Sequence, residues 1–546
     1  MKPNINKYFI ILSIAAVSMA ACNKQLEEYN PGGTTTDAVY STPEGFETLV
    51  NAAYTYNRWW YGKEEGYSIA EMGTDIWTSG TGDKYPDITN YNNLQASNTV
   101  MSGLWKQLYA AVNLCNTGIT RIDKAGLTTD KRKMRNAELH FLRAFYYWHI
   151  VETWGPVHFT LEETSGVITT ANRTPVDTFY AQIFRDLEVA VNDLPVTTGD
   201  YGRITKPAAE AFLARMYLTR SKNQQAADLA DKVINSYGYT LLAKYADLWR
   251  MDNLQNKEVI WAVNYMKNLV FDDRTDATLF PNGHSRGANN GHLMFAMKYD
   301  DLPGMQRDIV NQRPFNRYMP TLFLLNLFDE KADARYGASF KQVWYCNNLK
   351  TAPAGMKLGD TAVLCSKYVL PATTKYRVYD RNTVYTAAGG GNDRTHYVSL
   401  QKFEDPTRAS MNEEQSARDA FIIRLAEMYL IAGEAQFKLG NAAKAADYIN
   451  VIRKRAAIPG QETAMEIKPA DITLDFILDE RARELAGEQL RWFDLKRTGK
   501  LGERIALHNP DASQYFQSYH NVRPIPQDQI DAVSNKGEFK QNDKYN

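Results

Sequence analysis

Arg424-Leu425-Ala426-Glu427-Met428-Tyr429-Leu430-Ile431-Ala432-Gly433-Glu434-Ala435-Gln436-Phe437-Lys438-Leu439-Gly440-Asn441-Ala442-Ala443-Lys444-Ala445-Ala446-Asp447-Tyr448-Ile449-Asn450-Val451-Ile452, running on to Pro459, decides the fold. Apolar residues recur at helical spacing on both sides of Gly440-Asn441, which reads as two helices joined by a tight turn. An upstream stretch has the same texture. Lys206-Pro207 opens a helix to about Arg220, Ser221 to Asn223 interrupt it, and Gln224 to Tyr237 resume it. Gln225-Ala226-Ala227-Asp228…Val233-Ile234 parallels Lys444-Ala445-Ala446-Asp447…Val451-Ile452.

Arg424 to Pro459 is close to the 34-residue period of tetratricopeptide repeats, whose small residues let paired helices approach. Leu104 to Val151 supplies another pair: Leu104, Leu108, Ala111, Val112, Cys115, Ile119 and Ile122 mark one face, and Ala137 to Val151 a very aromatic second helix stopped by Trp154-Gly155-Pro156. Phe179 to Leu194 adds one more, and Ser41-Thr42-Pro43-Glu44 starts the first. Val259 to Val263 and parts of Thr351 to Ser399 read as short strands. Thr78 to Asn98 and Leu269 to Asn311 read as long loops, and loops of that length are functional or disordered. The expected class is mainly α, a TPR-like helix-pair superhelix with long irregular loops and a few short strands.

Composition narrows the partners. Sixty-three basic and 63 acidic residues cancel, so nothing points to nucleic acid. The chain holds 33 Tyr, 22 Phe and 10 Trp, enough for a core and for ring platforms that stack on sugars. Cys115 reads as a buried thiol. Cys346 and Cys365 are close enough in sequence to bridge in an exported protein. Gly389-Gly390-Gly391 lacks the strand–helix context of a phosphate loop.

The first residues suggest export. Lys2 and Lys7 precede an apolar run from Tyr8 to Ala20, shorter than the roughly 20 residues a bilayer span needs. Met19-Ala20-Ala21-Cys22 resembles a bacterial lipobox, with Met19 where Leu is commoner. Cys22 is then the lipidated first residue of the mature chain, and Asn23 to Thr36 a flexible tether. The expected organisation is a signal peptide at 1–21 and an anchor and tether at 22–36. A helical region at 37–265 and a C-terminal region with loop insertions at 266–546 follow.

Late in the chain stands Ile477-Leu478-Asp479-Glu480-Arg481-Ala482-Arg483-Glu484-Leu485-Ala486-Gly487-Glu488-Gln489-Leu490-Arg491-Trp492-Phe493-Asp494-Leu495-Lys496-Arg497. Its periodicity predicts one amphipathic helix. Arg481–Glu484 and Glu488–Arg491 would pair along it, and Gly487 would sit mid-helix at a cost of about 1 kcal/mol. Two acids a turn apart between arginines read as an ion-pair lattice in preference to a catalytic pair.

This segment resembles the C-terminal signature of the SusD/RagB family of surface nutrient-binding lipoproteins. Glu71-Met72-Gly73-Thr74-Asp75, Trp105-Lys106-Gln107-Leu108-Tyr109, Arg143-Ala144-Phe145-Tyr146-Tyr147, Arg313-Pro314-Phe315-Asn316-Arg317-Tyr318 and Asp333-Ala334-Arg335-Tyr336 agree with it. The resemblance implies a SusD-like fold and a lipid-anchored protein at the outer membrane, facing the cell exterior. It also implies capture of oligo- or polysaccharide for a SusC-like TonB-dependent transporter, without enzymatic activity or cofactor. Capture of peptides, as in RagB-like relatives, is the alternative.

Ligand contacts are expected from the divergent loops. Trp59, Trp60, Tyr61, Trp77, Tyr85 and Tyr91 are candidates, with Phe280, His284 and His292 in the second loop and Trp344 a weaker addition. Asp83, Asn90, Asn92, Arg286 and Asn289 would hydrogen-bond hydroxyls. Asp272, Asp273 and Asp276 lack an EF-hand loop, so no metal is expected.

Overall fold

The computed structural model describes residues 36–266 and 288–545. Cys22 with its leader and the tether up to Thr35, Phe280, His284, Arg286 and the Asp272–Asp276 cluster lie outside the described residues. No described helix is long and apolar enough to cross a membrane.

Helix α1 (Pro43–Thr55) begins where the sequence predicts: the Thr42 hydroxyl accepts the Gly45 N–H, and Phe46, Leu49, Val50 and Ala53 form its buried face. Helices α2 (Thr99–Arg121) and α3 (Thr129–Trp154) are capped by Asn98 and Thr128. Gly155, at φ +74°, turns the chain out of α3. Then come α4 (Val176–Asp193), α5 (Lys206–Thr219) and α6 (Asn223–Ser236). Each packs on the one before it, and α6 packs in turn on α7 (Leu425–Lys438), which packs on α8 (Ala442–Arg455). The superhelix of helix pairs is therefore continuous in space although residues 237–424 interrupt it in sequence. Alanines make this closeness possible, as Ala226, Ala227, Ala230, Ala445 and Ala446 are all buried.

The interruption leaves and returns through one antiparallel strand pair, Val259–Val263 against Ala420–Arg424. The chain between them builds most of a second lobe with its own core, including Phe295, Tyr318, Tyr336, Trp344 and Tyr397, to which the N-terminal region adds Trp77. Short strands frame it: Trp77–Ser79 pairs with Tyr318–Pro320, and Val343–Tyr345, Thr361–Cys365 and Arg377–Tyr379 make a three-stranded sheet.

That sheet separates the two cysteines. Its register places Cys346 beside Asp360 and Cys365 beside Gln342, at opposite ends of one ladder. Both are free, buried thiols, so the bridge considered from sequence does not form. Several residues of strand at about 3.3 Å each exceed the reach of a disulfide.

The late signature is two helices, not one. Helix α9 (Leu474–Leu485) stops, Gly487 and Gln489 take φ values of +80° and +62°, and α10 (Arg491–Arg497) starts anew. A Cβ on Gly487 would lie 2.9 Å from Leu400 Cδ2 and 3.1 Å from Phe403 Cε2. The glycine is there for a left-handed turn under close packing, not as a tolerated helix residue. The expected neighbour pairs also give way, because the break re-aims every charge. Arg481 binds Asp494, Glu488 binds Arg424 and Lys402, and Arg491 binds Asp75.

The signature is the seam of the molecule. Leu478, Trp492 and Phe493 belong to the helical core, Ala482 and Ala486 to the second lobe, and Ile477 to a smaller cluster under α8. Its carboxylates collect arginines from all sides. Glu484 meets Arg424 at 2.7 Å, Arg335 at 2.9 Å, and Arg455. Glu480 takes Arg335 at 2.8 Å, Arg453 at 2.7 Å and Arg483 at 2.9 Å. Burial alone would raise the Glu484 carboxyl, but Arg455, Arg424 and Arg335 hold it down to about 2. This lattice has the structural role expected from sequence, with partners that are tertiary instead of local.

Candidate ligand-binding face

Packing accounts for most of the aromatic candidates. Trp60 and Tyr61 are buried between α1 and α3: Trp60 lies 4.4 Å from His149 between ring centroids, and the Tyr61 hydroxyl is 3.2 Å from His149 Nε2. Trp77 packs on Phe295 at 4.8 Å in the second lobe. Tyr91 donates its hydroxyl to Gly73 O at 2.9 Å and lies under the Arg523 guanidinium. His292 and Trp344 are buried in the second lobe, and burial pushes the His292 imidazole down to about 3, so it is neutral. Asn289 spends its amide on Arg418 O and Gly291 N–H. The expected ligand contact at these residues is replaced by core packing, since large rings close the junctions between helices and lobe. Trp59 is half-buried against the helical core. Asn92 is exposed beside Asn90, whose Oδ1 accepts the Asn92 N–H.

Tyr85 and Asp83 stand where three distant segments converge. The turn from Gly80 to Gly82 is held by main-chain hydrogen bonds: Gly80 N–H to Arg317 O, Thr81 N–H to Arg394 O, and Gly82 N–H to Asn316 O, all 2.8–2.9 Å. A Cβ would fall 2.4 Å from Asn316 O at Gly80 and 2.1 Å from Phe315 O at Gly82. Only glycine permits that approach. Asp83 then accepts the Ser79 hydroxyl at 2.6 Å and the Tyr85 N–H at 3.0 Å. Lys84 sits 5.1 Å from the Tyr85 ring.

The clasp carries a partly exposed edge of rings and charges. Arg313 and Arg317 flank the half-buried Phe315 ring at 5.1 and 5.0 Å. Arg394 joins Ser79 O at 2.9 Å to Asp511 at 2.8 Å. Next to it, Tyr379 and His396 stack at 4.4 Å with an interplanar angle of 23°, and both are partly exposed. His396 Nε2 is 3.5 Å from Asp301.

Asp301 also lines an open depression of about 460 Å³, together with Asp300, Gln306, Arg307, Asn348 and Asn412. Burial favours the neutral Asp300 acid, but Lys298 and Arg307 hold its pKa below the ordinary value. The depression thus presents carboxyl oxygens beside amide and guanidinium donors, with a stacked ring pair beyond Asp301. That is the chemistry a polyhydroxylated ligand needs: fixed donors and acceptors, and a ring face nearby. Sequence reading missed Asp300, Asp301, Arg307, Tyr379 and His396. Their grouping depends on the lobe's sheet and on His396 lying across from Asp301, which no local pattern reports. Among the described residues, no cluster of three or more His, Cys, Asp or Glu side chains is arranged to hold a metal.

Comparison with known proteins agrees with this architecture. The SusD family model matches residues 257–545, and a model described as starch-binding associating with outer membrane matches residues 46–218. SusD-like protein P2 of Formosa agariphila is 26% identical over 524 residues, covering 92% of each chain. The starch-binding protein SusD of Bacteroides thetaiotaomicron is 24% identical over 455 residues, covering 77% of this chain and 74% of its own. Among solved structures, a laminarin-binding SusD-like protein has a TM-score of 0.67 at 22% identity, over 92% of this chain and 99% of that one. Surface glycan-binding protein A of Bacteroides thetaiotaomicron, solved with laminarihexaose, has a TM-score of 0.66 at 23% identity with the same coverage.

Proposed function

Because the chain belongs to the SusD family, we propose that it captures oligo- or polysaccharide at the cell surface and passes it to a SusC-like TonB-dependent transporter. The observation that carries this reading is the polar depression at Asp300, Asp301 and Arg307 with the Tyr379–His396 ring pair at its edge. Relatives named for starch, laminarin or laminarihexaose support the ligand class. The half-buried Phe315 and the exposed Asn92 extend the same reading along the clasped loop, whereas Tyr85, expected to contact ligand, is buried in the helical core. In this reading the protein binds its glycan without cleaving it.

The anchor belongs to this proposal. A lipid on Cys22 would fix the protein to the outer membrane by a tether, and attachment by two or more acyl chains is stable where one is reversible. Cys22→Ser should move the protein from the membrane to the soluble fraction of expressing cells. Retention in the membrane with an unmodified residue 22 would contradict the anchor.

The ligand class is tested by calorimetric and gel-retardation screens of the purified protein against a panel of neutral and acidic polysaccharides and a peptide pool. Saturable binding of a polysaccharide, without turnover, is expected. Binding of peptides alone would shift the function to peptide capture, and cleavage of any polysaccharide would make the protein an enzyme.

A further inference from the structure

Between α3 and α4 the chain makes an excursion whose tip is apolar. Val167 is 93% exposed, more than any other large apolar residue among the described residues, and the adjoining Ile168 is 61% exposed. Two branched aliphatic side chains left in water forgo the free energy that burial gives. The tip is nevertheless held in place from both sides. On the leg leading to it, Asn116 Nδ2 donates to Thr160 O at 3.2 Å and to Glu162 O at 3.1 Å. The Thr164 N–H donates to Asn113 Oδ1 at 2.8 Å, and Arg121 grips Glu163 through Nε at 2.7 Å and Nη2 at 2.9 Å. On the returning leg, Thr169 O accepts the Ser534 N–H at 2.7 Å, and the Asn535 amide exchanges two hydrogen bonds with the main chain of Ala171. Ser165 to Ile168 stand free between these contacts, with Gly166 turning at φ +72°. Side chains of α2 and of the C-terminal segment thus hold the two aliphatic groups outward.

One of those side chains also marks where the chain enters the fold. Arg121 Nη1 pairs with Asp37, the second described residue. Cys22 precedes Thr36 by fourteen residues, a reach of at most about 50 Å of extended chain. Val167 follows Glu163 by four residues, at most about 14 Å. The tip and the entry of the chain from Cys22 therefore meet at one guanidinium, and a bilayer holding Cys22 lies within reach of the tip.

Resting on the reading that Cys22 carries a lipid, we propose that the Val167–Ile168 tip dips into the boundary of that same bilayer and orients the protein on it. A stable protein interface needs about 800 Å² from each partner, whereas Glu162, Thr164, Ser165, Thr169 and Thr170 around this tip are polar and exposed. A bilayer asks for no such area and no complementary shape, because each buried aliphatic carbon contributes by transfer alone. The contact is weak by itself: the tip has fewer carbons than one myristoyl chain, whose binding is already marginal and reversible. It orients a protein that Cys22 holds and does not attach it.

The test places an environment-sensitive nitrobenzoxadiazole label on Ser165→Cys, which leaves Val167 and Ile168 intact. Cys115, Cys346 and Cys365 are buried, and an acylated Cys22 has no free thiol, so the label goes to one position. The full-length lipidated protein is reconstituted into phosphatidylcholine vesicles, and flotation and fluorescence are read on the same sample. The protein should float, with the label's emission shifted to the blue and at least halved by lipids brominated on their acyl chains. The same label on Leu358→Cys, an exposed position of the second lobe, should keep its emission in water. Adding Val167→Asp and Ile168→Asp should abolish the shift and the quenching at position 165 while the protein still floats. A floating protein whose label at 165 stays in water, or whose shift survives both aspartates, would overturn the proposal. So would shielding that appears only when a transporter is present, which would make the tip a protein contact. Failure of the anchor is read separately, as loss of flotation by the unsubstituted protein, and would remove this contact with it.

Discussion

Arg424 and Glu484 meet at 2.7 Å with neither side chain more than 2% exposed, joining the last strand of the insertion's neck to the helix that seals the seam. Arg424 also binds Glu258 at 3.0 Å and Glu488 at 2.7 Å. One guanidinium thus ties both strands of the neck to both sides of the Gly487 turn. The second lobe is fixed against the helical stack at this point, and the lobe carries the candidate face.

Truncating Arg424 leaves Glu484, Glu258 and Glu488 buried with part of their charge uncompensated. Removing one partner of a buried pair costs about 3–5 kcal/mol, so Arg424→Ala should lower the unfolding free energy by that amount in a denaturant titration. A loss below about 1 kcal/mol would mean that the lattice is not what closes the neck.

Gly487 tests the turn that splits the signature. An alanine must take a φ near +80° and push Leu400 and Phe403 aside. Strained backbone of this kind costs about 1–3 kcal/mol. Gly487→Ala should be destabilised within that range, measured as above. Had the segment been one continuous helix, the same change would stabilise it by about 1 kcal/mol.

The acids of the interior give stability a pH dependence. Burial raises the Glu71 carboxyl to about 7, although the Leu490 and Arg491 N–H groups favour its ionised form. The unfolded chain releases this proton near the ordinary value of about 4.3. Between those pH values the folded state holds a proton that the unfolded state has lost, so stability falls as pH rises. One such proton contributes a slope of about 1.4 kcal/mol per pH unit. Glu71→Gln should flatten the curve of unfolding free energy against pH between about 4.5 and 7. An unchanged slope would show that Glu71 does not titrate in this window.

Much of the fold was legible in the sequence, for a physical reason. The helix pairs repeat a local pattern of alanines and apolar residues, and caps such as Thr42 act within three residues of themselves. The Gly487 turn was read as helix because the apolar spacing continues through it. Only the approach of Leu400 and Phe403, nearly ninety residues away in sequence, forces the left-handed backbone. Site residues were harder. Trp77, Tyr91 and Trp60 have the composition of a sugar platform, yet rings of that size are also what fills a junction between lobes, and sequence does not separate the uses. Asp301 and His396 became neighbours through tertiary structure, with no local signature.

The most direct measurement is the affinity of the unmodified protein and of an Asp301→Asn, Arg307→Ala, Tyr379→Ala variant for the tightest polysaccharide found in the panel, with melting temperatures in parallel. Lost hydrogen bonds to charged groups are each worth about 1.5–3 kcal/mol. The variant should therefore bind at least a hundredfold more weakly while melting within a few degrees of the unmodified protein. Undiminished polysaccharide affinity in a folded variant would contradict the assignment of this face.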